Sequence, residues 1–445
     1  MTGFKGRAEK NAAQQFVDRQ LRGGVLVDSH AREVCGIPVT GFGLGTYLGN
    51  MDVATDARVT SLCTQFVEAG GNVFDTAINY RAQRAERSVG DGLRRLFLAG
   101  KVKREELFIS SKAGFIPFEF EPTHDLKSLF HTQYVQSGIA RESDLVAGCH
   151  CLAPKYLANQ LERSLKNLNL ETIDLYYIHN PETQLEELPA RVVYEKLGEA
   201  FVFLEQAVAA GKIANYGLAT WNAFRGTPID VTGRQSRAVV TSGYSELQLE
   251  QCMLLAEQAA ESVGHKTTSF RAVQMPLNLA MPDVAIAKTQ KIGGQSMTAL
   301  AAAKMLGLSV STSVPLFQGR LCHGLPDFLL EKFPEQWSQA HCALSFVSTF
   351  DDVDCVLIGM KSPEHLTHNL SYLREEGLTH EQLKSIILAL HQQLASPYLT
   401  LLAAAYVPIL VRGKSLRSFP SAPKRVLYVL GKVCLLIPRQ CVCGF

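Results

Sequence analysis

The stretch IDLYYIH, residues 173–179, is a run of apolar and aromatic residues that ends in an ionisable side chain. Two earlier runs end in the same way: NVFD, residues 72–75, and LFISSK, residues 107–112. Short apolar runs separated by helical patterns are typical of strands that are buried on both faces of a parallel sheet. Three successive strands of this kind favour a barrel in which the strand ends meet at one mouth, where active sites are built.

Four side chains are therefore expected to gather at this mouth. Asp75, Lys112 and His179 close the three runs, and Tyr80 follows in the loop after the first of them. Taken alone, each has an ordinary structural explanation, such as a turn acceptor or a solvated strand end. A carboxylate, an ammonium, an imidazole and a phenol placed together would form a site for proton transfer.

The same alternation of strand and helix continues along the chain. Between the first two strands, Val59, Leu62, Cys63, Phe66 and Val67 follow the spacing of one helix face. Later helices are predicted near 245–263, over 294–306 and near 336–348. The predicted strands are 42–44, 72–75, 107–112, 173–179, 213–219, 272–275, 308–314 and 355–358. Eight such units predict an α/β fold of the (β/α)8 TIM barrel type.

A doubly wound open sheet is the alternative architecture. It would normally carry a glycine-rich turn after its first strand. The stretch GFGLG, residues 41–45, has glycine at every second position and lacks the spacing of a dinucleotide-binding turn. It is interpreted as a tight first strand of the barrel.

Three segments fall outside the repeat, which we place in a barrel domain over 36–380. Residues 1–35 form an N-terminal extension, and residues 114–155 form a long insertion after the third strand, where a lid or substrate wall is expected. Residues 396–445 form a basic, apolar tail whose hydrophobic runs are short or interrupted by Lys432. Packing or disorder of this tail is favoured over membrane contact.

Composition restricts the class of protein. The 445 residues are 47% hydrophobic and carry a net charge of +2, which gives no reason to expect a nucleic-acid partner. Eleven scattered cysteines in a large chain do not suggest a disulfide framework. The cluster CHC, residues 149–151, has neighbouring rather than spaced ligands, so no metal site is predicted. Without an apolar stretch after Met1, a cytoplasmic location is expected.

The ordered motifs together resemble the aldo-keto reductases over roughly residues 36–375. Each motif is weak alone, but they occur in order at predicted strand ends. The matching stretches are GFGLGT (41–46), NVFDTAINY (72–80), ISSK (109–112), IDLYYIH (173–179), VQ (273–274) and IGMKSPEHLTHN (358–369). The resemblance implies a barrel that binds NADPH and a catalytic tetrad at Asp75, Tyr80, Lys112 and His179.

The resemblance also implies a separate role for each residue of the tetrad. Tyr80 would donate a proton to the carbonyl oxygen, and Lys112 beside it would lower the pKa of the phenol. Asp75 would hold Lys112 and keep it charged, while His179 would orient the carbonyl. The tetrad does not by itself distinguish an enzyme from a sensor, because some regulatory subunits with this barrel retain it.

Cofactor residues are implied by the same resemblance. Gln274 corresponds to a residue that binds the nicotinamide carboxamide, and Thr220 stands in a pair that is usually Ser-Asn. The adenosine phosphate would be met by the loop after the last strand, where His365 and His368 replace the usual arginine and an acidic or amide side chain. These departures leave NADP(H) preferred and NAD(H) possible. The implied contacts in this loop are Gly359, Lys361, Ser362 and Asn369.

The expected function is an NADP-dependent oxidoreductase that interconverts an alcohol and a carbonyl compound, namely an aldehyde, ketone or sugar. The alternative is an NADPH-binding regulatory or sensor subunit with little turnover.

Overall fold

A computed structural model describes residues 3–119, 125–225 and 247–394 of the chain. The predicted tail, residues 396–445, lies outside these described residues, as does most of the loop before α7. The strands are β1 Arg32–Val34, β2 Ile37–Val39, β3 Phe42–Gly45, β4 Val73–Asp75, β5 Phe108–Ala113, β6 Ile173–His179, β7 Ile213–Ala219, β8 Phe270–Pro276, β9 Gln290–Ile292, β10 Gln295–Met297, β11 Ser309–Ser313 and β12 Cys355–Gly359.

Helices connect and cover these strands. They are α1 Lys10–Arg22, α2 Val53–Glu68, α3 Arg84–Leu98, α4 Leu126–Phe130, α5 Pro154–Leu168, α6 Ala190–Ala209, α7 Leu249–Val263, α8 Asp283–Ile286, α9 Ala299–Met305, α10 Asp327–Leu330, α11 Gln339–Ser348, α12 Pro363–Ser371 and α13 His380–Leu394.

Eight of the strands close into a parallel barrel in the order β3-β4-β5-β6-β7-β8-β11-β12, with β12 pairing back onto β3. Every residue of β4, β5 and β6 is buried, which explains why their sequences are continuous apolar runs. The (β/α)8 prediction is confirmed, and the open-sheet alternative is excluded by the closure. The stretch 41–45 contributes β3, the first barrel strand.

One helix prediction was wrong in its first turn. The residues predicted as helix 294–306 begin with Gly294 and β10, which pairs with the preceding β9 in a two-stranded hairpin. Gly293 and Gly294 form its turn with positive φ angles of 56° and 82°, which glycine adopts at little cost. The helix starts only at Ala299. The Thr298 side chain caps it by accepting a hydrogen bond from the Ala301 amide.

The N-terminal extension packs against the end of the barrel opposite the mouth. The amide of Ala8 donates to Asp174 Oδ1 at 2.6 Å, and the other carboxylate oxygen accepts from Arg104 and from the Ile109 amide, each at 2.7 Å. The Arg104–Asp174 pair is almost fully buried. This one carboxylate therefore ties the extension to β5 and β6. Within the described residues, the helices are too short or too polar to cross a membrane.

Candidate active site

The site is built around the ends of β4 and β5. Lys112 is fully buried, and its Nζ donates to Asp75 Oδ2 at 2.5 Å and to the carbonyl oxygen of Thr76 at 2.9 Å. Because Asp75 and Ser110 are register partners in the sheet, the Ser110 hydroxyl can also donate to Asp75 Oδ1, at 2.9 Å. Burial lowers the pKa of Lys112, and the Asp75 carboxylate opposes that shift. The carboxylate thus favours the charged amine inside the barrel.

Tyr80 lies over this buried ion pair. The Lys112 Nζ is 5.0 Å from the centroid of the Tyr80 ring, within the range of a cation–π contact. The Tyr80 ring is half-buried and meets Tyr47 edge to face at 5.1 Å. The phenol, the amine and the carboxylate predicted from the sequence are therefore adjacent.

The pKa of Tyr80 does not follow the expected direction. Burial raises it well above its ordinary value, and the Asp75 carboxylate adds to the increase. The sequence predicted that Lys112 would lower it. Because the ammonium is in direct contact with Asp75, the carboxylate offsets part of its effect on the phenol. The phenol is therefore protonated at neutral pH, which is the state a proton donor requires.

His179 completes the group at the end of β6. Its ring meets Tyr80 at 5.6 Å and Phe115 at 5.2 Å, both edge to face. Burial lowers the pKa of His179 well below its ordinary value, and the charge of Lys112 lowers it further. The imidazole is therefore neutral at neutral pH. It can donate a hydrogen bond through one ring nitrogen to a substrate oxygen without adding a positive charge.

Two aromatic residues beside the tetrad were not found from the sequence. Tyr47 is 42% exposed at the rim of the mouth, and Phe115 begins the insertion and packs on His179. Aromatic residues in loops give no periodic signal, so only the fold places these two rings next to Tyr80 and His179.

Gln274 lies on β8 and Thr220 directly follows β7, so the two residues are at neighbouring strand ends. The Gln274 Nε2 donates to Asp75 Oδ1 at 2.9 Å, so this side chain touches the ion pair. The Thr220 amide donates to the carbonyl oxygen of Gln274 at 2.8 Å, and its hydroxyl lies 3.4 Å from the same oxygen. Both residues are buried.

The phosphate residues predicted after the last strand cluster at the start of α12. Gly359 ends β12, Lys361 is exposed, and Ser362 caps the helix by accepting from the His365 amide at 3.3 Å. Asn369 is buried in the last turn of α12, so its side chain is packed inside the protein, unlike the exposed Lys361. A helix start flanked by an exposed lysine and a hydroxyl is a donor set that suits an anionic phosphate.

The histidine of the cluster CHC, residues 149–151, contacts the backbone of His179. Among the described residues, no group of three or more potential metal ligands comes together. His150 Nε2 lies 2.7 Å from the carbonyl oxygen of His179.

Comparison with known proteins places the chain among relatives with this barrel. The model of the aldo/keto reductase family matches residues 41–266, which is half of the chain. The NAD(P)H-dependent D-xylose reductase I,II of Candida tropicalis is 28% identical over 200 residues, which are 42% of this chain and 48% of that relative. The NADH-dependent D-xylose reductase of Candida parapsilosis is 31% identical over 148 residues, 33% of this chain and 32% of that relative. The chain thus spans about half or less of the length of these curated relatives.

Solved structures extend the likeness to the whole fold. An aldo-keto reductase from Bacillus halodurans superposes with a TM-score of 0.53 at 18% identity, covering 81% of this chain and 95% of that one. An aldo/keto reductase from Klebsiella pneumoniae, in complex with NADP and acetate, gives a TM-score of 0.51 at 21% identity, covering 81% and 94%. At such low identity the likeness concerns the fold alone. With its family motifs in order along a closed barrel, the chain belongs to the aldo/keto reductase family.

Proposed function

We propose that this protein is an NAD(P)H-dependent reductase of small carbonyl compounds, with Tyr80 as the proton donor. The observation that carries the proposal is the buried Lys112, whose amine contacts the Asp75 carboxylate at 2.5 Å and lies 5.0 Å from the Tyr80 ring. A buried ion pair costs desolvation energy and is weak evidence for stability. Its position under a phenol at the barrel mouth is instead what proton transfer needs.

Each side chain has a role set by its surroundings. When bound, a reduced nicotinamide would supply a hydride to the carbonyl carbon, and the carbonyl oxygen would then need a proton. Tyr80, which is protonated at neutral pH, gives its proton to that oxygen. The phenolate left behind is stabilised by the Lys112 ammonium beneath the ring, and Asp75 keeps that amine charged. The neutral His179 hydrogen-bonds to the same oxygen and fixes the direction of the carbonyl.

The cofactor would span the mouth from Gln274 to the start of α12. Gln274 and Thr220 offer polar groups for the carboxamide of the nicotinamide, next to the ion pair. Gly359, Lys361, Ser362 and the first turn of α12 would meet the phosphate groups, with Asn369 supporting that helix. The exposed lysine supports a preference for NADP(H), while histidine at 365 in place of arginine leaves NAD(H) usable.

Aldehydes, ketones and sugars are the proposed substrates. The aromatic rings of Tyr47 and Phe115 flank Tyr80 and His179, so the reacting carbonyl would sit between apolar walls. The names of two curated relatives identify them as D-xylose reductases, which supports including aldose sugars among the first compounds tested.

A comparison of binding with turnover separates an enzyme from a sensor. Purified protein is mixed with NADPH, and binding is followed by nicotinamide fluorescence. Loss of the reduced-nicotinamide absorbance is then measured with a panel of aldehydes, ketones and aldoses. We expect saturable NADPH binding and turnover of at least one compound. Tight binding without turnover of any compound would instead favour a regulatory subunit, and absence of binding would reject both.

A further inference from the structure

His150 is a fully buried histidine that contacts the backbone of His179 in the candidate active site. Its Nε2 lies 2.7 Å from the carbonyl oxygen of His179, and its Nδ1 lies 2.8 Å from the side-chain nitrogen of Gln184. Gln184 belongs to the turn Pro181–Glu186 that follows β6 and is itself fully buried. A histidine in this position contacts the backbone of His179 and the turn after it at the same time.

These contacts determine which nitrogen of His150 carries the proton. The carbonyl oxygen of His179 can only accept, so the Nε2 of His150 must be the donor. In a neutral ring the Nδ1 is then an acceptor, and the amide nitrogen of Gln184 donates to it. Burial lowers the pKa of His150 to about 4, which agrees with a neutral ring. One tautomer is thus held by a partner on each side.

The segment around His150 reaches His179 by a second path. Residues 114–116 pair with 149–151 in the opposite direction, because the Ile116 amide donates to the Cys149 carbonyl and the Cys151 amide to the Gly114 carbonyl. The Phe115 ring meets the His150 ring at 5.0 Å and the His179 ring at 5.2 Å. The His179 side chain and its backbone therefore contact the same small unit, which consists of the paired segments 114–116 and 149–151.

Gly114 shows how closely this unit is packed. Its φ angle is +144°, and a Cβ there would lie 2.5 Å from His150 Nε2 and 2.9 Å from the His179 carbonyl oxygen. Only glycine leaves room for the hydrogen bond between these two histidines. The insertion is thus joined to the end of β6 at the residue that carries the catalytic imidazole.

We propose that His150 is a positioning residue that sets the orientation of the His179 imidazole through its hydrogen bond to the His179 backbone. The inference rests on the proposed function, since it assigns a role in carbonyl reduction. A displaced imidazole would misalign the carbonyl while leaving Gln274 on β8 and the start of α12 after β12 unchanged, because neither strand pairs with β6. The loss is therefore expected in kcat and not in NADPH affinity.

The test uses the full chain with three substitutions. His150→Leu removes the donor, and His150→Gln replaces it with an amide N–H and keeps an acceptor for Gln184. Gln184→Leu leaves His150 in place but removes one of the two partners that hold its tautomer. Tyr134→Phe is the control, because Tyr134 is equally buried in the same insertion but bonds to Arg163 and Gln160 instead.

We expect His150→Leu to lower kcat roughly ten- to a hundred-fold with little change in NADPH dissociation constant. His150→Gln should keep most of the kcat of the unsubstituted protein. Gln184→Leu should lower kcat less than His150→Leu does, and Tyr134→Phe should behave like the unsubstituted protein. Equal kcat in His150→Leu and the unsubstituted protein would overturn the proposal. A folded His150→Gln variant with kcat as low as that of His150→Leu would also overturn it. So would a folded Gln184→Leu variant with unchanged kcat.

Nuclear magnetic resonance of histidine-labelled protein gives a readout that does not depend on turnover. The ring nitrogen signals of His179 should shift in His150→Leu and Gln184→Leu and stay in place in His150→Gln. If the unsubstituted protein reduces no carbonyl, the proposed function fails while these signals still decide the role of His150. Unshifted His179 signals in both leucine variants would reject it, and if His150→Leu does not fold, the Gln184→Leu variant decides alone.

Discussion

At the scale of single residues, Lys112 places a positive charge inside the barrel, and its neighbours determine what that charge does. Its pKa is lowered by burial, while Asp75 at 2.5 Å counteracts this. The same contact limits its effect on Tyr80, whose pKa is raised by burial. Lys112 therefore offsets only part of the cost that burial and Asp75 impose on a Tyr80 phenolate.

Replacing Lys112 tests this reading of the pair. We expect Lys112→Met to lower kcat by about two orders of magnitude, because the phenolate loses its cation and faces an unpaired Asp75. The alkaline limb of the kcat profile, where Tyr80 loses its proton, should move to higher pH. Steady-state kinetics across pH measure both effects.

The matched control is Lys101→Met, which removes an exposed amine paired with Glu68 on the surface. It should leave kcat and the pH profile unchanged. A Lys112→Met profile that coincides with that of the control would remove Lys112 from any role in tuning Tyr80.

At the scale of elements, the strand ends could be predicted and the loops between them could not. Asp75, Lys112 and His179 close runs that are buried on both faces, so their common location followed from the barrel. The side chains of Phe115 and His150 reach the site through a loop that folds back on itself, which no periodic pattern encodes. The hairpin β9–β10 was missed because Gly294 and β10 lie inside the stretch 294–306 that was assigned to a helix.

The start of α12 carries the prediction on cofactor preference. We expect Lys361→Ala to weaken NADPH binding by roughly ten-fold and NADH binding little, because the extra phosphate loses a charge-assisted contact. Fluorescence titrations with both cofactors measure the two dissociation constants. Lys384→Ala, which removes an exposed lysine on α13, is the control and should alter neither. Equal weakening of both cofactors by Lys361→Ala would place Lys361 away from that phosphate.

Asp174 is predicted to stabilise the contact between the N-terminal extension and the barrel. Asp174→Ala should lower the free energy of unfolding by about 3 to 5 kcal/mol, because it leaves the buried Arg104 without its partner. Urea unfolding measures the change. Glu195→Ala breaks an exposed pair with Arg191 on α6 and should cost less than about 0.5 kcal/mol. Similar losses in the two variants would mean that Asp174 does not anchor the extension.

At the scale of the whole molecule, several buried histidines make the fold sensitive to acid. Burial lowers the pKa of His30, His150 and His179, so all three are neutral in the folded chain. Unfolded histidine titrates near 6.5, so below that pH the unfolded chain binds more protons than the folded one. Stability therefore falls as the pH drops from about 6.5 toward each folded pKa.

For His150, with a folded pKa of about 4, the loss reaches on the order of 3 kcal/mol at the acid end of this window. We expect the urea midpoint to decrease between about pH 7 and pH 5, and to decrease less in His150→Gln. An unchanged midpoint over this range would show that these histidines are not buried as neutral groups.

Carbonyl reduction by this protein depends, in our proposal, on the transfer of a proton from Tyr80 to the substrate oxygen above the Lys112–Asp75 pair. The most direct measurement compares Tyr80→Phe with the unsubstituted protein, using NADPH titration and carbonyl reduction on the same preparations. We expect unchanged NADPH affinity and a loss of at least about two orders of magnitude in kcat, because a positioned proton donor is removed. Turnover within a few-fold of the unsubstituted protein would contradict it.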